Sequence, residues 1–310
     1  MFEVIYLTGA SGFIGQHLLK ALASLGLPVI CLGRSSAKPS VLYEATNVKY
    51  IKVDLLDVDS IGEVFSKKHK CLLIHLAGVG LRRFNEAPGF NIESTAALSK
   101  VFVQYASKGS RFIFASSAKA VEPLLNGLKV PIACPYGISK RACEKLLISR
   151  FNEQIETGLS ILRIPAVFGP GDDNLKPLFR LSQRGIYIYL SKSLDRPLPM
   201  IFVDDLVKDI TNACFDCEPV SIINLGSYVS WNSFVSEIRR AVNSRFSLKF
   251  TIYKIPAVIL KKIFDLIHLP MLSQRISDIC FNEWPTTPSL SSPSQSELTG
   301  KVKITADSYL

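Results

Sequence analysis

Two side chains near the middle of the sequence have the types and the spacing for acid–base chemistry. Of ten tyrosines, Tyr136 alone has a lysine four residues later, Lys140. The pattern up to Leu147 is helical, and on a helix both side chains share one face. A neighbouring ammonium favours a phenolate, so it lowers the pKa of a phenol from about 10 towards neutrality. An exposed pair on a surface helix is the alternative.

A serine at the end of a buried strand could assist this chemistry. The apolar run Phe112–Ala115 is followed by the hydroxyls of Ser116 and Ser117. Ligands of parallel sheets bind at the carboxyl edge of the strands. The two hydroxyls therefore lie where a ligand of a parallel sheet is expected.

These side chains need a scaffold, and the start of the chain indicates which one. A short apolar strand, Val4–Leu7, stops at glycines spaced three apart (Gly9, Gly12 and Gly15), and a helical pattern follows. Glycines let the backbone approach dinucleotide phosphates, and the helix N-terminus favours the anion. The spacing differs from the commonest fingerprint, and a glycine-rich turn without a ligand is the alternative.

Apolar runs recur along the chain with helical stretches between them, which predicts an α/β fold with a Rossmann-type doubly wound parallel sheet. The runs are Phe2–Leu7, Pro28–Leu32, Val48–Val53, Cys71–Leu76, Arg111–Ala115 and Leu159–Ile164. We expect this domain to span residues 1–171. A smaller C-terminal α/β substrate lobe, interleaved with it, is expected over 172–285, and a flexible tail rich in Ser, Thr and Pro over 286–310.

The composition argues against several classes of function. The chain has 310 residues and a net charge of +10, but its basic residues are dispersed and no nucleic-acid motif accompanies them, so no nucleic-acid partner is expected. It has no apolar segment of membrane-spanning length and no secretory signal before the first strand. Seven scattered cysteines fit a reducing compartment. We therefore expect a cytoplasmic protein without an integral membrane segment.

Two other segments have simple interpretations. Cys214 and Cys217 have metal-ligand spacing but no second pair, so no metal site is expected.

The segment Pro256–Leu269 is apolar with interspersed charges. It is expected to be an amphipathic helix packed on the small lobe or on a subunit partner, with a membrane-surface helix as the alternative.

Taken in order, the motifs resemble the extended branch of the short-chain dehydrogenase/reductase superfamily, the NAD(P)-dependent nucleotide-sugar epimerase/dehydratase group. Thr8–Gly15 is similar to the cofactor loop of that family, and Leu162–Gly171 to the segment that crosses the nicotinamide. Ser117, Tyr136 and Lys140 match its catalytic triad. The matches run from residue 4 to about residue 230.

The resemblance implies a role for each of these residues. Tyr136 is the acid/base that acts on a sugar hydroxyl or ketone, and Ser117 hydrogen-bonds the same oxygen. Lys140 holds the nicotinamide ribose and assists the tyrosine, while Asn91 supports the active site. The implied partner is a nucleotide-sugar substrate. Members of this group often form homodimers through a helix bundle that here would include the helix of the tyrosine, and the oligomeric state is left open.

The resemblance also implies the cofactor contacts, which come from the glycine loop, the ends of later strands and a proline near the nicotinamide. They are Gly9, Gly12, Phe13, Ile14, Gly15, Asp54, Leu55, Leu76, Ala77, Gly78, Tyr136, Lys140 and Pro165. For Asp54, expected beside the adenine, a solvated carboxylate is the alternative. His75 is expected to be a packed, hydrogen-bonded residue rather than a base.

The end of the second strand bears on the type of dinucleotide. NAD sites place a carboxylate about twenty residues past the glycines, and NADP sites place an arginine nearby. Here Gly33 stands at the acidic position and Arg34 follows. A guanidinium binds a 2′-phosphate that a carboxylate would repel. We therefore expect Arg34 to bind NADP(H), which is favoured over NAD(H).

The expected reaction is oxidoreduction at carbon 4 of a nucleotide-activated sugar. A ketoreductase exchanges its cofactor at each turnover, which suits NADPH, whereas an epimerase retains its dinucleotide. Ser116–Val121 resembles bacterial 4-ketoreductases and 4-epimerases of polysaccharide synthesis. A 4-ketoreductase of surface polysaccharide synthesis is therefore expected, with a UDP-glucose or UDP-N-acetylglucosamine 4-epimerase as the alternative. A hydroxysteroid or small-carbonyl reductase and a non-catalytic dinucleotide sensor are further alternatives.

Two more residues are expected to bind substrate. Asn174 resembles a residue that contacts the diphosphate, with a helix N-cap as the alternative. Family members carry an arginine shortly before a segment that is here Val203–Leu206, but this chain has Pro197–Phe202 at that place and Arg196 slightly upstream. Either Arg196 serves, or the substrate is not the usual one.

Overall fold

The structure is a computed structural model that describes residues 2–34, 45–65, 68–80, 87, 89–122, 124–125, 128–129, 132, 134–152, 156–242, 247–266, 276, 279–280 and 295–309. The chain forms two compact units. The first comprises Met1–Val121, Pro135–Ile164 and Asp204–Asn224, and the second comprises Glu122–Cys134, Pro165–Val203 and Leu225–Leu310.

The secondary structure alternates between strands and helices. The strands are β1 (Val4–Thr8), β2 (Val29–Gly33), β3 (Val48–Lys52), β4 (Cys71–His75), β5 (Arg111–Ser117), β6 (Leu124–Leu125), β7 (Leu128–Lys129), β8 (Gly158–Ile164), β9 (Ala166–Phe168), β10 (Ile186–Leu190), β11 (Pro197–Phe202), β12 (Val220–Asn224), β13 (Ser227–Ser230) and β14 (Leu248–Ile252). The helices are α1 (Phe13–Ala23), α2 (Val58–Phe65), α3 (Phe90–Tyr105), α4 (Pro135–Asn152), α5 (Lys176–Gln183), α6 (Val203–Ala213), α7 (Trp231–Val242), α8 (Lys254–Leu266) and α9 (Gln295–Asp307).

The first unit is built on a parallel sheet of seven strands in the order β12-β8-β5-β4-β1-β2-β3. β1 pairs with both β2 and β4, so the strand order reverses there, as in a doubly wound sheet. Its central strands β1, β4 and β5 are buried along their whole length. The predicted fold class is confirmed, and all six apolar runs contain strands of this sheet.

The seventh strand differs from the sequence prediction. Ser221–Leu225 was expected in the smaller lobe, but β12 pairs in parallel with β8 and extends the main sheet. Its residues are half-exposed or exposed because it lies at the sheet edge, so it lacks a continuous apolar run. The division between the units likewise falls after Ile164 rather than after residue 171, and the chain returns to the first unit at Asp204.

Aromatic contacts fix helices α2, α3 and α4 against the main sheet. Tyr6 of β1 stacks on Phe65 of α2 with ring centroids 4.0 Å apart. Phe112 of β5 contacts Phe102 of α3 and Phe151 of α4 at 5.4 and 5.7 Å. These contacts bury large side chains that dominate core stability.

The second unit contains a parallel pair, β10-β14, and a three-stranded sheet, β13-β11-β9. A tail was expected over 286–310, but residues 295–307 form α9, and 286–294 lie outside the described residues. Leu298, Val302 and Ala306 are buried at a spacing of four residues, and α9 packs against α7. The prediction of a tail was wrong for these residues because the few apolar side chains that form the buried face of the helix lie among many polar ones.

A membrane-crossing helix would need a long apolar segment. None of the helices in the described ranges is long and apolar enough for this role.

Candidate active site

The glycine loop between β1 and α1 is closely packed. Gly9 has φ of 75°, and a Cβ there would lie 2.7 Å from the backbone nitrogen of Ala77. A Cβ on Gly15 would lie 2.1 Å from the carbonyl oxygen of Gly9. Gly12 precedes α1 without a side-chain cap hydrogen bond. Together these features leave the first-turn N–H groups of α1 uncapped by a side chain, which fits the phosphates of a dinucleotide. Phe13 and Ile14 lie half-buried in that turn.

A buried polar cluster holds the neighbouring strand ends in register. His75 Nδ1 is 2.8 Å from Thr8 Oγ1, and His75 Nε2 is 3.2 Å from Thr95 Oγ1. Thr8 Oγ1 also accepts a hydrogen bond from the Ala77 N–H at 3.1 Å. Burial, assisted by Lys140, lowers the pKa of His75 to about 3. His75 is therefore a neutral, packed residue and not a base at neutral pH.

The three triad residues lie on β5 and α4. Ser117 is the last residue of β5, and its Oγ accepts the Lys119 N–H at 3.2 Å. Tyr136 is half-buried in the first turn of α4, and Lys140 follows one turn later. The Lys140 Nζ donates to the carbonyl oxygen of Ala115 on β5 at 2.8 Å. This hydrogen bond ties the lysine to the strand that carries the serine.

The segment Leu76–Gly78 follows β4 and approaches the same lysine. A Cβ on Gly78 would lie 3.5 Å from Lys140 Nζ and 3.0 Å from Asn91 Oδ1. A larger residue at position 78 would therefore crowd both polar groups. The close approach brings a segment predicted to contact the cofactor close to a residue of the predicted triad.

The ammonium of Lys140 lies in an apolar environment. The side chain is buried, and its Nζ lies 4.7 Å from the centroid of the Phe114 ring. Burial lowers the pKa of Lys140 from 10.5 to about 8, against opposing contributions from Cys143 and Glu144. A lysine whose pKa lies close to neutral pH can exchange protons more readily than an exposed lysine with the ordinary pKa.

This lowered pKa predicts how stability changes with pH. Above pH 8 the folded protein loses the Lys140 proton, whereas the unfolded chain keeps it up to about pH 10.5. The free energy of unfolding of the cofactor-free protein should therefore rise relative to that of Lys140→Met, by roughly 3 kcal/mol over this window. Urea titrations of both proteins at several pH values measure the difference. A difference independent of pH would contradict the prediction.

Asn91 of α3 links the segment after β4 to the start of α4. Its Oδ1 accepts the Val79 N–H at 2.7 Å, and its Nδ2 donates to the Val79 carbonyl and to Ser139 Oγ, each at 3.2 Å. Ser139 Oγ in turn donates to the carbonyl oxygen of Tyr136 at 2.8 Å. Asn91 is therefore connected to the backbone that positions the tyrosine.

Arg34 follows β2 with its guanidinium held on an aromatic ring. Its Cζ lies 4.4 Å from the centroid of Phe90 at the start of α3. A Cβ on the preceding Gly33 would lie 2.9 Å from the hydroxyl of Tyr50. A side chain at position 33 would therefore require the Tyr50 hydroxyl to shift.

Asp54 and Leu55 follow β3. The Asp54 Oδ1 accepts the Leu56 N–H at 3.1 Å, so this carboxylate stabilises its own turn. Leu55 is buried. The local turn orders both residues at the carboxyl edge of the sheet.

A buried ion-pair network behind the triad was not predicted from the sequence. The side chain of Glu144 on α4 is fully buried and accepts hydrogen bonds from Ser116 Oγ at 2.6 Å and from Arg163 at 2.9 and 2.8 Å. Burial acts to raise the pKa of Glu144, but these hydrogen bonds outweigh it and the pKa is lowered. The available signal was Arg163, a charge within the otherwise apolar run of β8.

The other predicted site residues belong to the second unit. Pro165 is half-buried between β8 and β9. Asn174 is exposed and does not cap a helix, because Leu175 precedes α5 at the N-cap position. The carboxylate of Asp172 accepts the Asn174 and Leu175 N–H groups at 2.7 and 3.1 Å. Asp172 therefore orders this turn, and the cap alternative for Asn174 is wrong.

Arg196 immediately precedes β11 and is half-buried. The strand after it contributes Leu198, Met200 and Phe202 to the core of the second unit. An arginine within that strand at those positions would bury a charge, which explains why the apolar stretch lacks one.

Comparison with known proteins identifies a family and several relatives of this chain. The family model described as NAD dependent epimerase/dehydratase family matches residues 5–226. A ceramide reductase of Caulobacter vibrioides is 30% identical over 212 residues, 68% of this chain and 61% of the relative. The match thus spans less than two thirds of that relative. A UDP-glucose 4-epimerase of Vibrio cholerae is 24% identical, over 78% of this chain and 77% of the relative.

Solved structures share the fold. The UDP-glucose 4-epimerase of Thermotoga maritima with UDP-glucose has a TM-score of 0.72 at 21% identity, covering 99% of this chain and 98% of its own. MoeE5 in complex with UDP-glucuronic acid and NAD has a TM-score of 0.66 at 21% identity, covering 98% and 99%. The family model covers far more than half of the sequence, and the chain belongs to the NAD dependent epimerase/dehydratase family.

Proposed function

We propose that the protein is an NADPH-dependent ketoreductase that acts at carbon 4 of a nucleotide-activated sugar. The observation that carries the proposal is the arrangement at the end of β2, where the Arg34 guanidinium lies over the Phe90 ring and the position expected to hold an acid in an NAD site is Gly33, close to the Tyr50 hydroxyl. A cytoplasmic homodimer acting in surface polysaccharide synthesis is part of the same proposal.

The stacking of Arg34 supports a phosphate-binding role. The Cζ of Arg34 lies over the Phe90 ring, 4.4 Å from its centroid. A guanidinium has five N–H donors, and those that do not face the ring can bind a phosphate. No acid can replace Gly33 without displacing the Tyr50 hydroxyl, since the Cβ would lie 2.9 Å from it. Both features support binding of the 2′-phosphate of NADP rather than the 2′-hydroxyl of NAD.

The triad residues would complete the reduction. When bound, the dinucleotide supplies the hydride to carbon 4. Tyr136 donates a proton to the ketone oxygen, which becomes the hydroxyl. The Ser117 oxygen already accepts the Lys119 N–H, so its own O–H is available to donate to that same oxygen. Lys140 would hold the ribose after exchanging its hydrogen bond to Ala115.

The relatives support two different reactions. The ceramide reductase supports a reduction, whereas the UDP-glucose 4-epimerases favour the alternative, a 4-epimerase of a UDP-sugar. The NAD bound in MoeE5 also favours that alternative. A hydroxysteroid or small-carbonyl reductase would keep the triad without a diphosphate site. The cofactor preference discriminates between reduction with an exchanging dinucleotide and epimerisation with a retained one.

Removing the guanidinium tests the cofactor assignment. Arg34→Ala should raise the Kd for NADPH by about tenfold or more and leave the Kd for NADH nearly unchanged, because a charge-assisted phosphate contact is lost. Calorimetric or fluorescence titration measures both constants. Lys20→Ala is the matched control, since this exposed lysine lies in the last turn of α1. Equal affinities of the parent protein for NADPH and NADH would refute the assignment.

The reaction itself is tested with a labelled hydride. The purified protein is incubated with NADPH deuterated at the transferred position and a panel of UDP-4-ketohexoses, and products are analysed by mass spectrometry and NMR. Deuterium at carbon 4 of the sugar supports the proposal. Conversion of UDP-glucose to its 4-epimer without added dinucleotide would replace it with the epimerase. A small ketone or ketosteroid without a nucleotide is added in a parallel incubation, and deuterium found only in the alcohol formed from it would replace the proposal with a carbonyl reductase.

A further inference from the structure

Helix α8 in the second unit has its apolar face turned away from the core. Ile255, Ile259, Ile263 and Leu266 are spaced four, four and three residues apart, so they lie on one face of the helix. Their exposures are 74, 51, 44 and 79%. These four residues are named the α8 face. A helix of a globular protein normally buries such a stripe, so the α8 face requires an explanation.

The side of α8 that packs against the second unit buries few side chains. Ala257 is 1% exposed and packs in a cluster with Leu190, Leu194 and Cys280. The preceding strand β14 pairs with β10 and adds Leu248 and Phe250, which are 59 and 54% exposed. Exposed apolar residues thus occur both on the helix and on the strand that precedes it.

Lysines occur on the same two elements as these apolar residues. Lys254 and Lys262 of α8 and Lys249 of β14 are exposed, and Lys261 of α8 is half-buried. The sequences of α8 and β14 contain one acidic residue, Asp265. The segment therefore carries a net positive charge next to an exposed apolar stripe, which complements a surface that is negative outside and apolar beneath.

The composition favours a lipid surface over a protein partner. Protein interfaces are enriched in Tyr, Trp, Phe, Met and Arg and depleted in Lys. The sequence of α8 has three lysines and a single residue of those enriched types, Phe264. Lysine stems can extend along apolar surface and place the ammonium at headgroup level. Tyr253, 61% exposed just before the helix, has the amphipathic character of an interfacial aromatic.

We propose that α8 and β14 form a docking surface for an anionic lipid bilayer, with the α8 face inserted at the headgroup boundary and the lysines on the anionic headgroups. The contact places the protein on the membrane surface without a spanning segment. It is independent of the reaction proposed above, because no residue of the triad or of the cofactor loop takes part.

Vesicle flotation with the full chain tests this proposal. Vesicles of equimolar phosphatidylcholine and phosphatidylglycerol should carry the protein, and vesicles of phosphatidylcholine alone should carry about tenfold less. The double variant Ile259→Ser, Ile263→Ser should bind the anionic vesicles at least tenfold more weakly. Ile304→Ser is the matched control, since Ile304 on α9 is also 51% exposed, and it should bind like the parent.

Other outcomes would overturn the proposal. It fails if the parent does not float with anionic vesicles, or if the double variant floats as well as the parent while circular dichroism shows both folded. Self-association of the parent that the double variant abolishes, without flotation of either, would instead assign the α8 face to a second copy of the chain. Lys254→Glu with Lys262→Glu should remove the preference for anionic vesicles, and its persistence would contradict the role of the lysines.

Discussion

Replacing Tyr136 by phenylalanine is expected to lower kcat by about 10²- to 10⁴-fold, with little change in the Kd for NADPH. The substitution removes the hydroxyl that would exchange a proton with the substrate oxygen and keeps the ring that packs in the first turn of α4. The measurement is the rate of labelled hydride transfer to the substrate found in the deuterium experiment, together with a cofactor titration.

A second tyrosine provides the control for this variant. Tyr105 ends α3 and is half-buried like Tyr136, but it lies outside the predicted site, so Tyr105→Phe should keep the parental rate. A Tyr136→Phe protein that turned over at the parental rate would remove this residue from the chemistry. The family assignment would stand in that case, since it does not depend on activity.

Glu144→Ala is expected to lower the free energy of unfolding by about 3–5 kcal/mol. The substitution leaves the guanidinium of Arg163 and the hydroxyl of Ser116 without the carboxylate that now accepts their hydrogen bonds. Urea unfolding followed by circular dichroism at neutral pH measures the loss. The pKa of Glu144 is lowered from 4.5, so the contribution is present above that pH and disappears as the pH falls through the lower folded value.

Two further variants separate the buried charge from other effects. Glu297→Ala removes an exposed carboxylate that pairs with Lys301 at 2.7 Å and should cost less than about 1 kcal/mol. Glu144→Leu combined with Arg163→Met replaces both buried charges and should be less destabilising than Glu144→Ala. If Glu144→Ala and the double variant lose the same free energy of unfolding, lost packing rather than an unpaired charge dominates the effect.

The sequence was most informative where one local pattern determined one element. The continuous apolar strands predicted the doubly wound sheet, and the glycines marked the loop at β1, because close backbone approach leaves no room for a Cβ at Gly9 or Gly15. Lys140 could be placed near Tyr136 from helical spacing alone. Its hydrogen bond to Ala115 could not, since this contact depends on how α4 packs against β5.

The features that sequence analysis missed depend on contacts between distant segments. The Glu144 network joins α4 to β5 and β8. Arg163 stands out as a charge within an apolar strand, but its partner Glu144 is one of several charges on α4 and could not be identified from the sequence. β12 was misplaced because a half-exposed edge strand carries a weak apolar signal. The C-terminal helix α9 was obscured by its polar composition, although its buried residues have helical spacing.

The position of β12 has a consequence for synthesis of the protein. The main sheet cannot be completed until Asn224 has left the ribosome, although its other six strands are present once Ile164 has emerged. During that interval the outer edge of β8 presents unpaired backbone donors and acceptors to the surroundings. The nascent chain therefore passes through a stage at which another strand could pair with β8, and a molecular chaperone would be of most use to it during that stage.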